Sequence, residues 1–405
     1  MTMATLISTE VSQNLMTKRR LALYLGASVV SILLGSVLAE GLMRLAIPFS
    51  TVEYRIDPDV GQILVANQRA RWVHRDYDEV VETNSAGFHD REHLLNRPKG
   101  VYRVIVLGDS FIEALSAPIE LGFTYELERL LQREVKTQNV EVINLGVGGT
   151  GPAQYLRILE AKGLAYGPDL VIMSVFPDND FWDSYEPLSG APSKVFYHLQ
   201  PDGSLKYVPA DNTWVTVNLR PRLRKSRFLA TLRSGISSTH IETWLGRIGL
   251  LTAPGVTVEK AMRWSEWGVY LADHPDPWPD AYRTTLECIK GAYELSASAG
   301  AKFVVMLIGP VATVEDRWAE ALLAYPEANA LRWDYIHPFS AITALGQQTG
   351  FGVINLVPPF REDFRATKIS RSWPRDGHWN PSGNRLAAQI VGSRLIERAQ
   401  YFLAK

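Results

Sequence analysis

The residues best able to do chemistry in this chain are a serine, a histidine and an aspartate. Ser110 ends a Gly-Asp-Ser tripeptide, His378 lies near the C-terminus, and Asp376 precedes it by two residues. A serine hydroxyl is a weak nucleophile unless a base takes its proton, and the base works best when a third group orients it. These residue types predict attack of Ser110 on an acyl group. The simpler alternatives are that Asp109 or Ser110 only caps a helix and that His378 is an ordinary loop residue.

Two further stretches could stabilise the negative charge that acyl transfer builds on a carbonyl oxygen. The first is the glycine-rich turn at 146–151, whose backbone N–H groups can approach a ligand closely. The second is Pro177-Asp-Asn-Asp180, where Asn179 could add a side-chain donor or serve only as a turn residue. One such donor can be worth about 3–4 kcal/mol in a transition state. The glycine-rich turn lacks the Lys-Ser/Thr of a phosphate-binding P-loop and the G-x-G-x-x-G order of a dinucleotide site.

Short Val/Ile-rich runs precede three of these stretches and indicate how the fold brings them together. Five such runs predict strands at Val101–Leu107, Val140–Asn144, Asp169–Phe176, Lys302–Ile308 and Phe351–Leu356. Apolar residues spaced by three and four predict helices at Tyr125–Lys136, Ala153–Gly163, Ala281–Ser298 and Trp333–Thr349. Strands alternating with helices indicate a mostly parallel sheet with helices on both faces. Ser110 would then lie at the carboxyl edge of the sheet, where open α/β folds bind ligands.

Together the four stretches resemble the SGNH (GDSL-type) family of serine esterases and acyltransferases. The family's four blocks occur here in order, with Ser110, Gly149, Asn179 and His378 at the matching positions. The resemblance covers roughly residues 102–395, apart from an insertion. It implies an α/β fold of the SGNH hydrolase type, a flavodoxin-like three-layer sandwich with a mostly parallel sheet. The G-x-S-x-G elbow of the α/β-hydrolases is absent from the sequence.

The same resemblance implies a role for each site residue. Ser110 would be the nucleophile, His378 the general base, and Asp376 the group that orients the histidine. The backbone N–H groups of Ser110 and Gly149, together with the Asn179 amide, would form the oxyanion hole.

Two blocks depart from the family pattern. Pro177 stands where the third block usually has glycine, so Asn179 keeps its place in a loop of different sequence. The last block is usually Asp-x-x-His, but Arg375 stands three residues before the histidine and leaves Asp376 as the candidate carboxylate. The resulting Asp-Gly-His-Trp sequence resembles the variant of SGNH-like polysaccharide O-acetyltransferases. The stretch Asn84–Asp90 is also similar to the N-x-x-G-F-R-D stretch of membrane-anchored members, with histidine replacing the arginine.

The N-terminus predicts a membrane anchor. The basic cluster Lys18-Arg19-Arg20 precedes an uncharged, mostly apolar run, Leu21–Ala39. At about 1.5 Å per residue this run is long enough to cross the ~30 Å core of a bilayer. The positive flank predicts a cytoplasmic tail at 1–20, a transmembrane signal-anchor at 21–46 and a periplasmic or extracellular remainder. The alternative is a signal peptide cleaved near Val37-Leu38-Ala39, although its apolar run would exceed the usual length of about 7–15 residues.

The exported chain divides into a strap, a domain and an insertion. Residues 47–100 are polar and interrupted by prolines, which predicts a stalk or strap before an SGNH hydrolase domain at 101–405. An insertion at about 184–279 interrupts the strand–helix alternation, and we expect it to cover part of the site. A basic run in it indicates either a solvated helix face or contact with anionic lipid or glycan, and comprises Arg220, Arg222, Arg224, Lys225 and Arg227.

Composition and motifs limit the kinds of partner and cofactor that we expect this protein to bind. Lys and Arg number 42 against 43 Asp and Glu, so the net charge of −1 gives no indication of nucleic-acid binding. Cys288 is the only cysteine, so no disulfide forms within the chain. The stretch His89-Asp-Arg-Glu-His93 matches the H-x-x-E-H pattern of zinc peptidases, which requires a long helix. Gly87 and Pro98 bound it tightly, so we expect a polar turn there, with no metal and no other cofactor.

The sequence therefore predicts a serine-dependent ester hydrolase that acts outside the cytoplasm through an acyl-enzyme, on an acyl ester or an O-acylated glycan. Two alternatives remain open. One is O-acyl transfer to a cell-surface polysaccharide, which shares the first half-reaction, and the other is a non-catalytic glycan-binding protein on a degenerate SGNH fold. Trp373 and Trp379 flank the histidine block and predict an acyl or sugar subsite, although such rings are more often simply packed.

Overall fold

The computed structural model describes residues 3–46, 49–135, 139–219, 226–229, 231, 263, 265–318, 320, 326–398 and 402. The chain forms two compact units, one of residues 1–49 with 218–252 and one of residues 50–217 with 253–405. The described part of the first unit is mainly one long helix. The second contains the sheet and all the predicted site residues.

The described strands and helices follow one another as the alternation of apolar runs predicts. The strands are β1 (Tyr54–Asp57), β2 (Gly61–Leu64), β3 (Arg69–Val73), β4 (Asp78–Glu82), β5 (Val101–Gly108), β6 (Asn139–Gly146), β7 (Leu170–Val175), β8 (Phe196–Leu199), β9 (Leu205–Val208), β10 (Lys302–Leu307) and β11 (Gly352–Asn355). The α-helices are α1 (Met3–Ala46), α2 (Ser110–Glu113), α3 (Phe123–Glu134), α4 (Pro152–Ala161), α5 (Pro177–Ser184), α6 (Glu186–Ser189), α7 (Trp278–Ser298), α8 (Val311–Val314), α9 (His337–Thr349), α10 (Val357–Thr367) and α11 (Pro381–Glu397).

Five of these strands form one parallel sheet in the order β11-β10-β7-β5-β6. Counted along the chain, this is the order 2-1-3-4-5 of flavodoxin-like folds. The strand order reverses at β5, which pairs with both β6 and β7. The carboxyl end of β5 is therefore the topological switch point, where open α/β sheets bind ligands. The prediction of a three-layer α/β fold with a parallel sheet and one apolar N-terminal helix is confirmed.

Side chains of the sheet pack into a core on each of its faces. In β5, Ile105 and Leu107 belong to the cluster shared with α4, α7 and α9, whereas Val104 and Val106 belong to the cluster shared with α3, α10 and α11. Successive residues of a strand point to opposite faces, so burial on both faces requires an unbroken apolar run. Burying one such side chain fully contributes about 1.5–3 kcal/mol.

The five predicted strands and four predicted helices are all present in the described chain. Most of their ends shift by one to three residues from the predicted positions. The helix predicted at Trp333–Thr349 begins later, at His337. The reason is local, because Asp334 Oδ1 accepts hydrogen bonds from the backbone N–H groups of Ile336 and His337 and holds a turn before the helix.

The strap forms two antiparallel hairpins, β1–β2 and β3–β4, which belong to the same compact unit as the sheet. Ile63 and Phe88 are fully buried in the core cluster that contains residues of β5 and β6. Asp90 accepts a hydrogen bond from the backbone N–H of Asn144 on β6 at 2.8 Å. Within the described residues 50–100, the stretch predicted to be a stalk or strap thus contacts the core and β6.

A charged network ties the strap to the sheet. Buried Arg103 of β5 donates to the backbone oxygens of Leu94 and Leu95 and to Glu141 of β6. The ring of His93 lies between Glu141, at 2.7 Å from Nδ1, and Asp90, at 3.0 Å from Nε2. Burial alone would lower the pKa of His93, but the hydrogen bonds to Asp90 and Glu141 outweigh it and raise the pKa to about 9. His93, the last residue of the H-x-x-E-H pattern, therefore links the strap to β6.

We predict that His93 makes stability depend on pH. Its folded pKa lies above the ordinary value of 6.5, so its contribution is complete below about pH 6.5 and is lost as pH rises through about 9, by about 3 kcal/mol. His93→Gln cannot titrate, so the difference in unfolding free energy between the native protein and this variant should shrink over that interval. Urea unfolding at a series of pH values measures it, and a difference that stays constant with pH would contradict the account.

Between α5 and α7 the described chain contains no strand of the parallel sheet. The described parts of this insertion include α6, the β8–β9 hairpin, a π-helical turn at Val215–Leu219 and a 3-10 helix at Glu266–Tyr270. The hydroxyl of Tyr270 donates to Asp178 in the first turn of α5, next to Asn179. The basic residues at 220–225 and the predicted turn at 253–255 lie outside the described residues.

Helix α1 contains the stretch Leu23–Leu45, which has a mean hydropathy of 1.8 and is long and apolar enough to cross a membrane. No part of this stretch is buried within the protein. A signal sequence near the N-terminus would satisfy the same criteria.

Candidate active site

Ser110 lies directly beyond the carboxyl end of β5, as the first residue of α2. Asp109 caps this short helix, because its Oδ1 accepts a hydrogen bond from the backbone N–H of Phe111 at 2.9 Å. Gly108 allows the sharp turn, since a Cβ at that position would collide with Ile112. The Gly-Asp-Ser tripeptide therefore combines a close backbone approach and a helix cap with a serine at the switch point.

The structure brings the serine, histidine and aspartate predicted from the sequence together in one line of hydrogen bonds. Ser110 Oγ lies 2.6 Å from His378 Nε2, and His378 Nδ1 lies 2.8 Å from Asp376 Oδ2. The first contact joins residues that are 268 positions apart in the chain. An imidazole held between a carboxylate and a hydroxyl can take the hydroxyl proton when the serine attacks.

A tight loop allows Asp376 to reach a histidine only two residues away. The backbone N–H of Trp373 donates to the His378 oxygen at 2.8 Å, and the N–H of Gly377 donates to the Trp373 oxygen at 2.9 Å. Gly377 has φ of +84°, a left-handed conformation that side-chain-bearing residues rarely adopt. The chain therefore folds back between the two side chains, which explains how Asp376 reaches His378 across a single intervening residue.

The charges around His378 favour its protonated form. Burial alone would lower the pKa of His378, but the hydrogen bond and charge of Asp376, with further charges at Asp109 and Glu113, outweigh it and raise the pKa. The pKa of Asp376 is lowered, because the hydrogen bond and charge of His378 outweigh the effect of burial. Such a pair stabilises the imidazolium that forms when His378 accepts a proton.

Two strap residues that sequence reasoning missed support Asp376. Tyr77 lies near the Asp376 carboxylate, and burial and then the charge of Asp376 raise the pKa of the Tyr77 hydroxyl. Asp76 Oδ2 accepts from the backbone N–H groups of Arg375 at 2.8 Å and Asp376 at 3.2 Å. These contacts join residues about 300 positions apart, and no local pattern in the sequence marks either of them.

The glycine-rich turn after β6 lies against α2. Gly146 packs so closely on the backbone of Ile112 and Glu113 that a Cβ there would collide with both. Gly149 has φ of +66°, and a Cβ on it would meet nothing within 4 Å. Backbone conformation therefore requires glycine at 149, and the space beside it is open. Within the described chain, the backbone N–H groups of Ser110 and Gly149 have no hydrogen-bond acceptor.

A buried carboxyl group supports this turn from below. Glu113 Oε2 accepts a hydrogen bond from the Tyr54 hydroxyl at 2.9 Å, and it lies so close to Gly148 that a Cβ there would be 2.6 Å away. Burial raises the pKa of Glu113 to about 7. Gly148 directly precedes Gly149, so this carboxyl packs beside the peptide whose N–H the sequence predicts to face the oxyanion. Tyr54 is a further strap residue that sequence reasoning missed.

Asn179 lies in the first turn of α5, beyond the carboxyl end of β7. Its Nδ2 is 3.5 Å from Asp183 Oδ2. Burial raises the pKa of Asp109, the residue before Ser110, and the nearby Asn179 amide is one of the groups that oppose this shift. Pro177 occupies the first position of α5, where proline is favoured because its fixed φ suits a helix start. Proline at 177 therefore suits the start of α5 and leaves Asn179 in its first turn.

The two tryptophans of the histidine block occupy different environments. Trp379 is only 4% exposed and packs among Phe111, Phe123 and Phe360 in the core. It cannot line an open subsite in this conformation, so its predicted substrate-binding role is corrected to core packing. Trp373 is partly exposed, and its ring lies 5.5 Å from that of Tyr77.

Comparisons with known proteins give structural likeness only. No protein-family model and no curated protein matches the chain. Among solved structures, a two-domain esterase (CEX) active on acetylated mannans matches at 13% identity and a TM-score of 0.37, over 75% of this chain and 50% of that one. The acetyl xylan esterase AlAXEase matches at 14% identity and a TM-score of 0.39, over 72% of this chain and 99% of that one. A catalytic mutant of Axe2, an acetylxylan esterase from Geobacillus stearothermophilus, matches at 11% identity and a TM-score of 0.39. This match covers 73% of this chain and 93% of that one. The chain thus spans half the length of the two-domain esterase.

Proposed function

We propose that this protein is a serine-dependent ester hydrolase of the SGNH type that works through an acyl-enzyme on Ser110. The observation that carries the proposal is the unbroken line from Ser110 Oγ to His378 at 2.6 Å and on to Asp376 at 2.8 Å. It lies at the switch point of the sheet, where this fold class binds ligands. The alternative of a non-catalytic glycan-binding protein has no use for this hydrogen-bonded arrangement.

The proposed reaction has two half-reactions that share His378. Ser110 Oγ forms a bond to the ester carbonyl carbon while its proton passes to His378 Nε2. The carbonyl π electrons move to the oxygen, and the resulting oxyanion accepts hydrogen bonds from the N–H groups of Ser110 and Gly149 and from the Asn179 amide. The carbon–oxygen bond to the alcohol then breaks as His378 returns the proton to the alcohol. In the second half, water attacks the acyl-enzyme with His378 again as base, and the acid leaves as Ser110 regains its proton.

A sugar hydroxyl is the second candidate for the acceptor. The Asp-Gly-His-Trp sequence at 376–379, which resembles the polysaccharide O-acetyltransferase variant, favours this reading. The first half-reaction is unchanged, and the acyl group then passes to the sugar oxygen instead of water. In both cases the substrate class is an acyl ester or an O-acylated glycan.

The proposed site of action is outside the cytoplasm. Leu23–Leu45 would anchor the protein in a membrane, and the basic cluster that precedes it would keep the N-terminus in the cytoplasm. The domain that carries Ser110 would then be periplasmic or extracellular. A cleaved signal peptide would export the same domain without the anchor.

The full-length protein in detergent, incubated with p-nitrophenyl acetate, tests this function. We expect product release that Ser110→Ala abolishes and that Ser298→Ala, an exposed serine elsewhere in the domain, leaves unchanged. Adding candidate oligosaccharides and analysing them by mass spectrometry then separates transfer from hydrolysis, because only transfer adds an acyl group to the sugar. Equal turnover by the native protein and Ser110→Ala would reject the proposal.

We further predict that Asn179→Ala lowers kcat by about 10²–10³-fold with little change in KM, because one oxyanion donor is lost in the transition state only. Asn179→Asp should lower kcat at least as much, since a carboxylate beside the oxyanion repels it. Steady-state kinetics on a short acyl ester measures both, with thermal unfolding as the control for folding. A lower unfolding temperature with unchanged kcat would instead assign Asn179 a structural role toward Asp183.

A further inference from the structure

Asn179, the proposed side-chain donor to the oxyanion, lies beside an ion pair that reaches it from the insertion. Asp183 is one turn further along α5, and its Oδ2 is 3.5 Å from Asn179 Nδ2. The other oxygen of Asp183 accepts a hydrogen bond from Nζ of Lys194, which lies between α6 and β8. A side-chain amide has two N–H donors, so one can face Asp183 while the other remains for the oxyanion.

This ion pair is nearly buried. The side chain of Asp183 is 9% exposed and that of Lys194 is 11% exposed. Buried charges must be paired and hydrogen-bonded, and Lys194 Nζ also donates to Ser189 Oγ at 3.1 Å. Burial raises the pKa of Asp183, and the charge and hydrogen bond of Lys194 oppose this shift. Lys194 therefore favours the carboxylate form of Asp183, which only accepts hydrogen bonds.

Acidic groups on several elements surround this ion pair. Burial raises the pKa of Asp109 and of Asp180, and the charge of Asp183 is close enough to add to both shifts. Burial also raises the pKa of Glu266 in the 3-10 helix, where the charge of Asp183 adds to the shift and that of Lys194 opposes it. Lys194 thus brings a positive charge into a group of carboxyls in which an unpaired carboxylate is repelled by its neighbours.

Backbone contacts on both sides hold Lys194 in place. The backbone N–H of Gln62 in β2 donates to the Ser193 oxygen at 2.8 Å, and the side chain of Gln154 in α4 donates to the Val195 oxygen at 2.6 Å. The residues before and after Lys194 are therefore tied to the strap and to the helix that follows the glycine-rich turn. Groups that are fixed in this way need no reordering during a reaction.

We propose that Lys194 is a positioning residue for the oxyanion hole and acts through Asp183 on Asn179. Its charge keeps Asp183 as an acceptor for one N–H of the Asn179 amide, which then presents its other N–H to the oxyanion. Without Lys194 the buried carboxyl takes up a proton, and Asn179 loses the acceptor that orients it. This inference rests on the proposed function of Asn179 as a donor to the oxyanion.

A double-variant cycle with Lys194→Met and Asn179→Ala tests this role. Lys194→Met removes the charge and keeps a side chain of similar length. We expect it to lower kcat for p-nitrophenyl acetate by about 10- to 100-fold with little change in KM, because the orientation of a transition-state donor is lost. In the Asn179→Ala background it should have no further effect on kcat. Steady-state kinetics of the full-length protein in detergent measures all variants, and an equal loss in both backgrounds would overturn the inference.

Lys162→Met is the matched control. Lys162 forms an ion pair with Asp57 at 3.1 Å in the same domain, and Asp57 is nearly buried. Removing this pair should leave kcat unchanged. If Lys162→Met lowered kcat as much as Lys194→Met, the loss of any ion pair in the domain would explain the effect, and the inference would be rejected.

A second variant applies if Lys194→Met does not fold. The combination Lys194→Met/Asp183→Leu replaces the ion pair by apolar side chains of similar volume, which proteins often tolerate. It should show the same loss of kcat in the native background and none in the Asn179→Ala background. The same loss in both backgrounds would count against the inference.

Ser110→Ala separates failure of this inference from failure of the proposed function. If Ser110→Ala is inactive but Asn179→Ala keeps the native kcat, the ester chemistry stands and the role of Lys194 is overturned. If Ser110→Ala keeps the native turnover, the proposed function fails and the inference fails with it.

Discussion

Replacing Ser110 by alanine is expected to lower kcat/KM for a short acyl ester by at least about 10⁴-fold, because the covalent route is lost. His378→Ala should cost about the same, since the hydroxyl would then lack a base at 2.6 Å. The two residues act as one unit, so the double variant should be no slower than either single variant. Stopped assays with high enzyme concentration measure all three.

A control substitution in the same domain tests whether the loss of activity is specific to Ser110. Ser298→Ala alters an exposed hydroxyl that bonds only to a carbonyl of its own helix, and it should retain native turnover. Circular dichroism and thermal unfolding should show that Ser110→Ala is folded. Effects of the two single changes that multiply in the double variant would show that Ser110 and His378 act independently, contrary to the account.

Asp376→Asn is expected to lower kcat by about 10³–10⁴-fold with a smaller change in KM. The amide is nearly isosteric, but it neither carries a charge to stabilise the imidazolium nor fixes the Nδ1–H tautomer of His378. The pH profile should move as well. Activity requires neutral His378, whose pKa Asp376 raises, so the acidic limb of kcat/KM should lie above pH 6.5 in the native protein and shift to lower pH in the variant.

Asp76→Asn provides the matched comparison for Asp376→Asn. Asp76 accepts hydrogen bonds from the backbone of residues 375 and 376 and does not contact His378. Its replacement should cost less than tenfold and leave the acidic limb in place, because it loosens the loop without removing the partner charge. If both variants lost activity equally and shared the same pH profile, the Asp376 carboxylate would only hold the loop in place and would have no electrostatic effect on His378.

The sheet was predictable from the sequence because its strands are buried on both faces. A continuous apolar run such as Val101–Leu107 is stable only where both faces of its strand are buried. The helical periodicity between such runs then indicates crossover helices and a parallel sheet. The helix before Thr349 was less predictable at its start, since Asp334 competes by holding a turn with its side chain. The packing of the described strap was harder to predict, because its sequence shows no periodicity of apolar residues although Ile63 and Phe88 are buried.

The predicted site residues were accessible to sequence reasoning for a different reason. Ser110, Gly149 and Asn179 all follow strands of one parallel sheet, so a single rule places them at one edge. The Asp376–His378 contact depends on a local device, the left-handed Gly377, which is visible in the sequence as a glycine between two polar residues. Their catalytic roles remain predictions until the variants are measured.

Other parts of the site could not be predicted, because they depend on tertiary packing. Trp379 and Trp373 look alike in the sequence, but only packing against Phe111 and its neighbours places one in the core. Tyr77 and Tyr54 reach Asp376 and Glu113 from the strap, across long intervals of the chain. The strap thus supports both the histidine block and the glycine-rich turn, which gives it a part in the proposed chemistry.

The most direct test of the central claim is covalent labelling of the full-length protein with a fluorophosphonate, followed by intact mass and peptide mapping. We predict a single phosphonyl adduct on Ser110 that is absent in Ser110→Ala and forms far more slowly in His378→Ala. An adduct on another residue, or ester turnover by the native protein with no adduct at Ser110, would contradict the assignment of Ser110 as the nucleophile.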